Sequence, residues 1–270
     1  MNAQALLCAV KQKVISPDDF VKNLWKISNN NTRKGRRYRG TAEKPVRIYR
    51  ATVFSEQTLP ENIQRYSYPS ELYATLGRAN LPGKPVFYAC VGAPTAFVES
   101  RCSVNDIVVI SEFRVSSDVN LQEIGFKNSE TPSSDYENLL NEIFTFPGNE
   151  FYLYSSCIAS HLMTGTDIHG ITYPSIISQN QSQNVALKTD CIDSMANFVN
   201  ATAYKVTAVI DKFKYNVDEV NFGVKDGDGV CWKGRRKKWT IASPRSELKM
   251  VSNGWTWDAF DELGMLVDPE

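Results

Sequence analysis

Apolar and polar positions follow two rhythms along this chain, and the switches between them mark its elements. "PDDFVKNLWKIS" (17–28) places Phe20, Leu24 and Ile27 on one face at helical spacing, behind Pro17, Asp18 and Asp19, which favour a helix start. From Val46 the period drops to two. "VRIYRATVF" (46–54), "PVFYACV" (85–91) and "DIVVISEFRV" (106–115) are rich in β-branched and aromatic residues and predict strands. Residues 135–146 predict a helix, as does "FYLYSSCIASHLMT" (151–164), where Leu153, Cys157, Ile158 and Leu162 fall near helical spacing. "DIHGITYPS" (167–175) and "NVALKT" (184–189) are short extended runs, and "AYKVTAVIDKFKYNVDEV" (203–220) alternates clearly. "NNNTRKGRRYRGT" (29–41) breaks the periodicity and reads as a solvated basic loop. Beyond about residue 225, turns, a basic cluster and tryptophans predict a small β-rich extension ending in a helix near Trp255. The pattern is that of an α+β protein. It divides into an N-terminal helical and basic extension (1–45), a core (46–222) and a C-terminal β-rich extension packed on the core (223–270).

Composition narrows the class. The 270 residues are 42% hydrophobic and 22% charged, enough for a sizeable core. Thirty basic residues balance thirty acidic ones, which argues against nucleic acid or a membrane surface as partner. No run approaches the roughly 20 apolar residues that span a bilayer, and the N-terminus has no small-residue cleavage pattern. Six cysteines lie scattered without a CxxC, as expected of reduced thiols in a cytoplasmic protein. Two histidines are too few for a histidine-rich metal centre, and no metal is expected.

The common signatures for phosphate loops, dinucleotide folds, serine hydrolases and zinc proteases are absent. "DGDG" (226–229) suggests a calcium loop but lacks the distal glutamate and reads as a turn. Cys157 and His161 are ordinary helix neighbours rather than a catalytic pair. "KGRRKK" (233–238) reads as a solvated loop or hairpin, with engagement of a partner as the sharper alternative. What remains is a set of polar residues at the edges of apolar runs: Arg50, Arg78, Asn80, Tyr88, Glu99 and Ser175. Taken singly, each has a structural explanation, such as a surface ion pair for Arg50 or a turn cap for Ser175.

Taken in order, these residues carry a resemblance. "IYRAT" (48–52), "GRANLPGKPVFYACVGAPTAFVES" (77–100) and "YLYSSCIASHL", "IHGITYPSI" and "NVAL" within 152–187 resemble the three motif blocks of the RES domain family. Its members are typically toxins of bacterial toxin–antitoxin pairs that act on NAD. The resemblance implies an ADP-ribosyltransferase-like split β core with flanking helices. It also implies a site of Arg50, Tyr88, Glu99 and Ser175, with Arg78, Asn80 and Tyr173 as additions, NAD as substrate, and a protein antitoxin that occludes the site. Two departures stand out: "NVALK" lacks the family's final aromatic, and 120–140 looks inserted between Glu99 and Ser175. Ser155 and Ser156 are the fallback serines.

Chemistry fits these assignments. Nicotinamide departs already carrying the positive charge that bond cleavage neutralises, so no general acid is needed. A carboxylate, Glu99, suits the oxocarbenium-like ribose, and arginines (Arg50, with Arg78) suit the pyrophosphate. Tyr88 would pack on the nicotinamide ring, and Ser175 would bond a ribose hydroxyl or phosphate. The expected activity is therefore NAD glycohydrolase or phosphorylase. Protein mono-ADP-ribosylation is the alternative, and a non-catalytic binding module is a third reading.

Overall fold

The computed structural model describes residues 1–28, 35–55, 58–126, 134–164, 167–176 and 182–242. Two N-terminal helices, α1 (Ala3–Lys11) and α2 (Pro17–Ser28), precede strands β1 (Gly35–Tyr38), β2 (Val46–Phe54) and β3 (Phe87–Cys90). A short helix, α3 (Ala93–Glu99), leads to β4 (Ile107–Val115) and β5 (Val119–Glu123). Then come α4 (Asp135–Thr145), α5 (Tyr152–Leu162), β6 (Gly170–Pro174), β7 (Gln183–Leu187) and α6 (Thr189–Met195). Three long strands, β8 (Ala196–Asp211), β9 (Lys214–Asp226) and β10 (Gly229–Ala242), complete the described residues. Helices and a large mixed sheet make this an α+β protein.

The strands share one sheet in the order β1-β5-β6-β7-β3-β2-β4-β8-β9-β10. All neighbours are antiparallel except β5 and β6. The sheet has a weak seam. β2 pairs with β4 from Val46 to Phe54, yet meets β3 at the single pair Tyr49–Cys90. The two halves therefore part beside that pair, and the opening becomes the site.

Three apolar clusters hold this frame. Helices α1, α2, α4 and α5 bury Leu6, Phe20, Leu24, Ile143, Phe144 and Ile158 against Ile171 of β6 and Ala186 of β7. The same strands turn Val185 and Leu187 to the opposite face, where they meet Phe87, Val109, Phe113 and Phe198 under Tyr66 and Ile192. This is the period-2 alternation of a sheet covered on both sides. The third cluster seats α3, through Ala93, Ala96 and Phe97, on Val108, Ile110, Tyr204, Val206, Tyr215 and Ile241.

Several expectations change. Part of the stretch read as a basic loop is β1, which pairs with β5. The N-terminal residues form α1, capped by the Asn2 side chain accepting from the Ala5 amide. Ala93–Glu99, where the residue pattern predicted no element, is helical: Gly92 follows β3, and Pro94 occupies the first turn, where a missing N–H costs nothing. The stretch read as an insertion supplies β5 and α4, the latter opened by a capping box between Ser134 and Glu137. "DGDG" is the β9–β10 turn, with Gly227 at φ +57. The basic cluster lies on β10 at the sheet edge, with Lys233, Lys237 and Lys238 exposed, a charge pattern that discourages edge pairing. The helix expected near Trp255 lies outside the described residues.

Candidate active site

A cavity of about 390 Å³ lies over the seam, between the helical cluster and the α3 cluster. That volume falls within the range typical of small-molecule sites. One row of side chains crosses it. Sheet register places Tyr173 of β6 beside Asn184 of β7, Asn184 beside Cys90 of β3, and Cys90 beside Tyr49 of β2. All four line the cavity, with Arg50, Arg78, Tyr88, Glu99, Arg101 and Tyr152 among the other lining residues. Five of the seven residues singled out in the sequence thus share one cavity wall, although they come from five separate segments.

Arg50 marks the seam itself. Where β2 and β3 part, its Nη1 donates to the Tyr88 carbonyl at 2.9 Å, and its guanidinium lies over the Phe87 ring. Its Nε is buried without a hydrogen-bond partner among the described residues. Burial pulls the guanidinium down from the ordinary arginine range to about 10, so it is still a cation at neutral pH. A part-buried, half-satisfied guanidinium beside a cavity is well suited to an anion.

Glu99 ends α3. Phe97 pins that short helix by packing edge-on against Tyr204 and Tyr215, with ring centroids 6.0 and 5.5 Å apart. The carboxylate is held through one oxygen only: Oε1 accepts from Ser175 Oγ at 2.5 Å and from Asn184 Nδ2 at 3.0 Å. Oε2 has no hydrogen-bond partner among the described residues. Ser175, fully buried just past β6, thus meets Glu99 across a separation of 76 positions. Asn184 is held in turn by the Cys90 thiol, which donates to its Oδ1 at 3.1 Å. Burial first, and Glu99 second, push that thiol well up, so it stays protonated.

The "GRAN" segment behaves differently. Arg78 donates to the carbonyls of Phe144 (2.7 Å) and Phe146 (3.2 Å), reaches that of Gly148 (3.5 Å), and stacks on Tyr152. Its guanidinium ties down the end of α4 while one side faces the cavity. Asn80 does not line the cavity. It donates to the Thr75 and Leu81 carbonyls and accepts from the Tyr88 hydroxyl at 2.8 Å, while that hydroxyl accepts from the Ala79 amide. Gly77 is required by this clasp, since a Cβ there would lie 2.4 Å from Asn80 Oδ1 and 2.6 Å from the Tyr88 hydroxyl. The clasp fixes Tyr88, whose ring lines the cavity and whose phenol burial pushes well above its ordinary value. Tyr173 is buried beside it, packed on Phe144 at 5.7 Å, with its phenol also pushed up by burial.

Asn184, Tyr49, Tyr152 and Arg101 went unnoticed in the sequence. Asn184 opens the "NVAL" strand, and its position there was the one available signal. The fallback serines do not line the cavity: Ser155 and Ser156 are buried in α5 and donate to the Tyr152 and Leu153 carbonyls. Cys157 and His161 lie away from the cavity, His161 against the Trp25 ring at 4.9 Å. Among the described residues, no three His, Cys, Asp or Glu side chains cluster to hold a metal ion. No described helix is long and apolar enough to cross a membrane.

A parted sheet, a tethered carboxylate and a part-buried arginine at the seam make this cavity of an α+β chain the candidate site. The family can be named from the sequence match: the RES domain model covers residues 47–207, and the chain belongs to that family. No curated protein matches it.

Proposed function

We propose that this protein cleaves the nicotinamide–ribose bond of NAD, as a glycohydrolase or phosphorylase. The observation that carries this reading is the separation of charge in the cavity. Glu99 and Arg50 both line it, yet no ion pair joins them among the described residues. Opposite charges held apart favour a ligand bearing both signs, and NAD has a cationic nicotinamide and an anionic diphosphate. The cavity, the family and the aromatic walls agree with such a ligand, and the parted sheet agrees with an ADP-ribosyltransferase-like core.

In this reading the nicotinamide lies among the tyrosine rings and the adjoining ribose faces Glu99. The C–N bond breaks, its electron pair leaves with nicotinamide, and the ring charge is neutralised. Positive charge passes to the ribose, where Glu99 Oε2 stabilises it, while Ser175 and Asn184 keep the carboxylate from turning away. Water then bonds to the anomeric carbon and gives up a proton to solvent, or an already anionic phosphate oxygen bonds there with no proton lost. Such an activity would deplete cytoplasmic NAD, which fits a toxin kept silent by a protein that covers the cavity.

Glu99→Gln removes the charge and preserves the shape. Purified variant and wild type would be followed for nicotinamide release, with phosphate present and absent, and for transfer of labelled ADP-ribose to lysate proteins. The expected result is release of a free small-molecule product, lowered about 10²- to 10³-fold in kcat by the substitution. Full turnover by Glu99→Gln sinks the mechanism, and labelled protein bands without free product make the enzyme a transferase.

A further inference from the structure

We propose that Arg101 joins Arg50 in holding the diphosphate of the ligand in this cavity, and so sets its preference for a phosphate-bearing substrate over the bare nucleoside. The inference rests on the cavity being the NAD site, and refines it.

Three arginines line the cavity, and the other two are encumbered. Arg78 spends its nitrogens on the carbonyls at the end of α4 and its face on Tyr152. Arg50, part-buried in the seam, spends Nη1 on the Tyr88 carbonyl and has only the rest of its guanidinium for an anion. Arg101 is exposed at the rim, and its side chain makes no hydrogen bond or ion pair among the described residues. Its field reaches the Tyr215 phenol, a neutral neighbour. A diphosphate carries two negative charges, and an exposed, uncommitted guanidinium beside the cavity can take one of them.

Local backbone keeps that side chain in place. Arg101 follows the C-cap of α3 with φ +51, the left-handed conformation that helices reserve for glycine at this position. Lys13 adopts the same conformation after α1, on open surface, so the conformation alone signals nothing. At Arg101 it is combined with a cavity. The amide of Arg101 donates to the Val98 carbonyl, Cys102 beyond it is buried, and the Asn105 and Val206 amides tie the following loop to β8. The backbone is anchored while the guanidinium is uncommitted. Glycine would suit the turn better, which makes a clean test.

ADP-ribose and adenosine would be titrated calorimetrically into wild type and Arg101→Gly, alongside thermal melts. Wild type is expected to favour ADP-ribose, with an affinity that falls as salt rises. Arg101→Gly should melt no lower than wild type yet bind ADP-ribose about 10- to 100-fold more weakly, with adenosine unchanged. In turnover, the same variant should raise KM for NAD and largely spare kcat. Equal ADP-ribose affinity in the two proteins, or no preference over adenosine in wild type, overturns the assignment. Failure of the NAD reading shows separately, as ADP-ribose binding that depends on Arg101 in a protein that releases no nicotinamide.

Discussion

At the scale of the residue, Arg50 shows how burial and function pull against each other. Unfolded, its guanidinium keeps its proton up to the ordinary arginine value, whereas in the folded protein it does so only to about 10. Between those values the unfolded chain binds more protons, so stability rises with pH there. Below pH 10 the buried cation is a standing cost to the fold, and an anion in the cavity relieves it. The consequence for activity runs the other way. KM for NAD should be flat from pH 8 to 9 and climb as pH passes about 10, where an arginine in water would still be charged. Steady-state kinetics to pH 10.5 check this, and a flat KM would exclude Arg50 from holding the anion. Arg50 was legible in "VRIYR" only as a polar residue in an apolar run. That it sits at a seam depends on β3, from a segment over thirty residues away, and no local pattern reports where two strands part.

At the scale of the element, α4 and the "GRAN" turn are one unit. The last carbonyls of a helix lack partners within it, and here Arg78 supplies them from 66 residues upstream of Phe144. Arg78→Met would keep the aliphatic stem and leave buried acceptors unpaired. It should lower stability by about 2 kcal/mol or more, read as a fall in Tm, and weaken the cavity wall at Tyr152. Arg78→Lys should recover only part, since one ammonium cannot serve carbonyls spread as a guanidinium fork does. A Tm within a degree of wild type for the Met variant would mean the fork carries no weight. Element existence was largely legible: α2, α4, α5 and the strands from Val46 onward, β5 excepted, follow the periodicity of their residues. α3 was not, because seven residues, four of them in "APTA", show no period and are too short to be helical alone. Packing of Phe97 on Tyr204 and Tyr215 makes it a helix and thereby aims Glu99.

At the scale of the molecule, the long C-terminal strands support the site from behind. β10 runs along β9 from Gly229 to Ala242, contributes Val230 to one apolar cluster and Ile241 to another, and ties Trp232 Nε1 to the Pro60 carbonyl at 3.1 Å. Ile241 belongs to the cluster that seats α3. Truncation after Asp226 should therefore uncover β9, leave both clusters open to water, and yield protein that is insoluble or lacks a cooperative melt. Circular dichroism melts and the soluble fraction on expression would show it. A truncated protein with the wild-type Tm would make β10 dispensable.

Sequence by itself determined the α+β class, most of the elements, and the polar residues that belong to the site, because each is written in local period, composition or a short motif. Only the tertiary structure decided which of those residues act together. Lateral register across β6, β7, β3 and β2 put Tyr173, Asn184, Cys90 and Tyr49 in one row. The seam between half-sheets opened the cavity around Arg50. Long-range contact brought Ser175 to Glu99, and turned Asn80 and much of Arg78 to holding the frame. Register, seams and long-range contacts arise from packing between distant segments, which minimises buried unpaired groups over the whole chain at once, and a linear pattern carries no record of it.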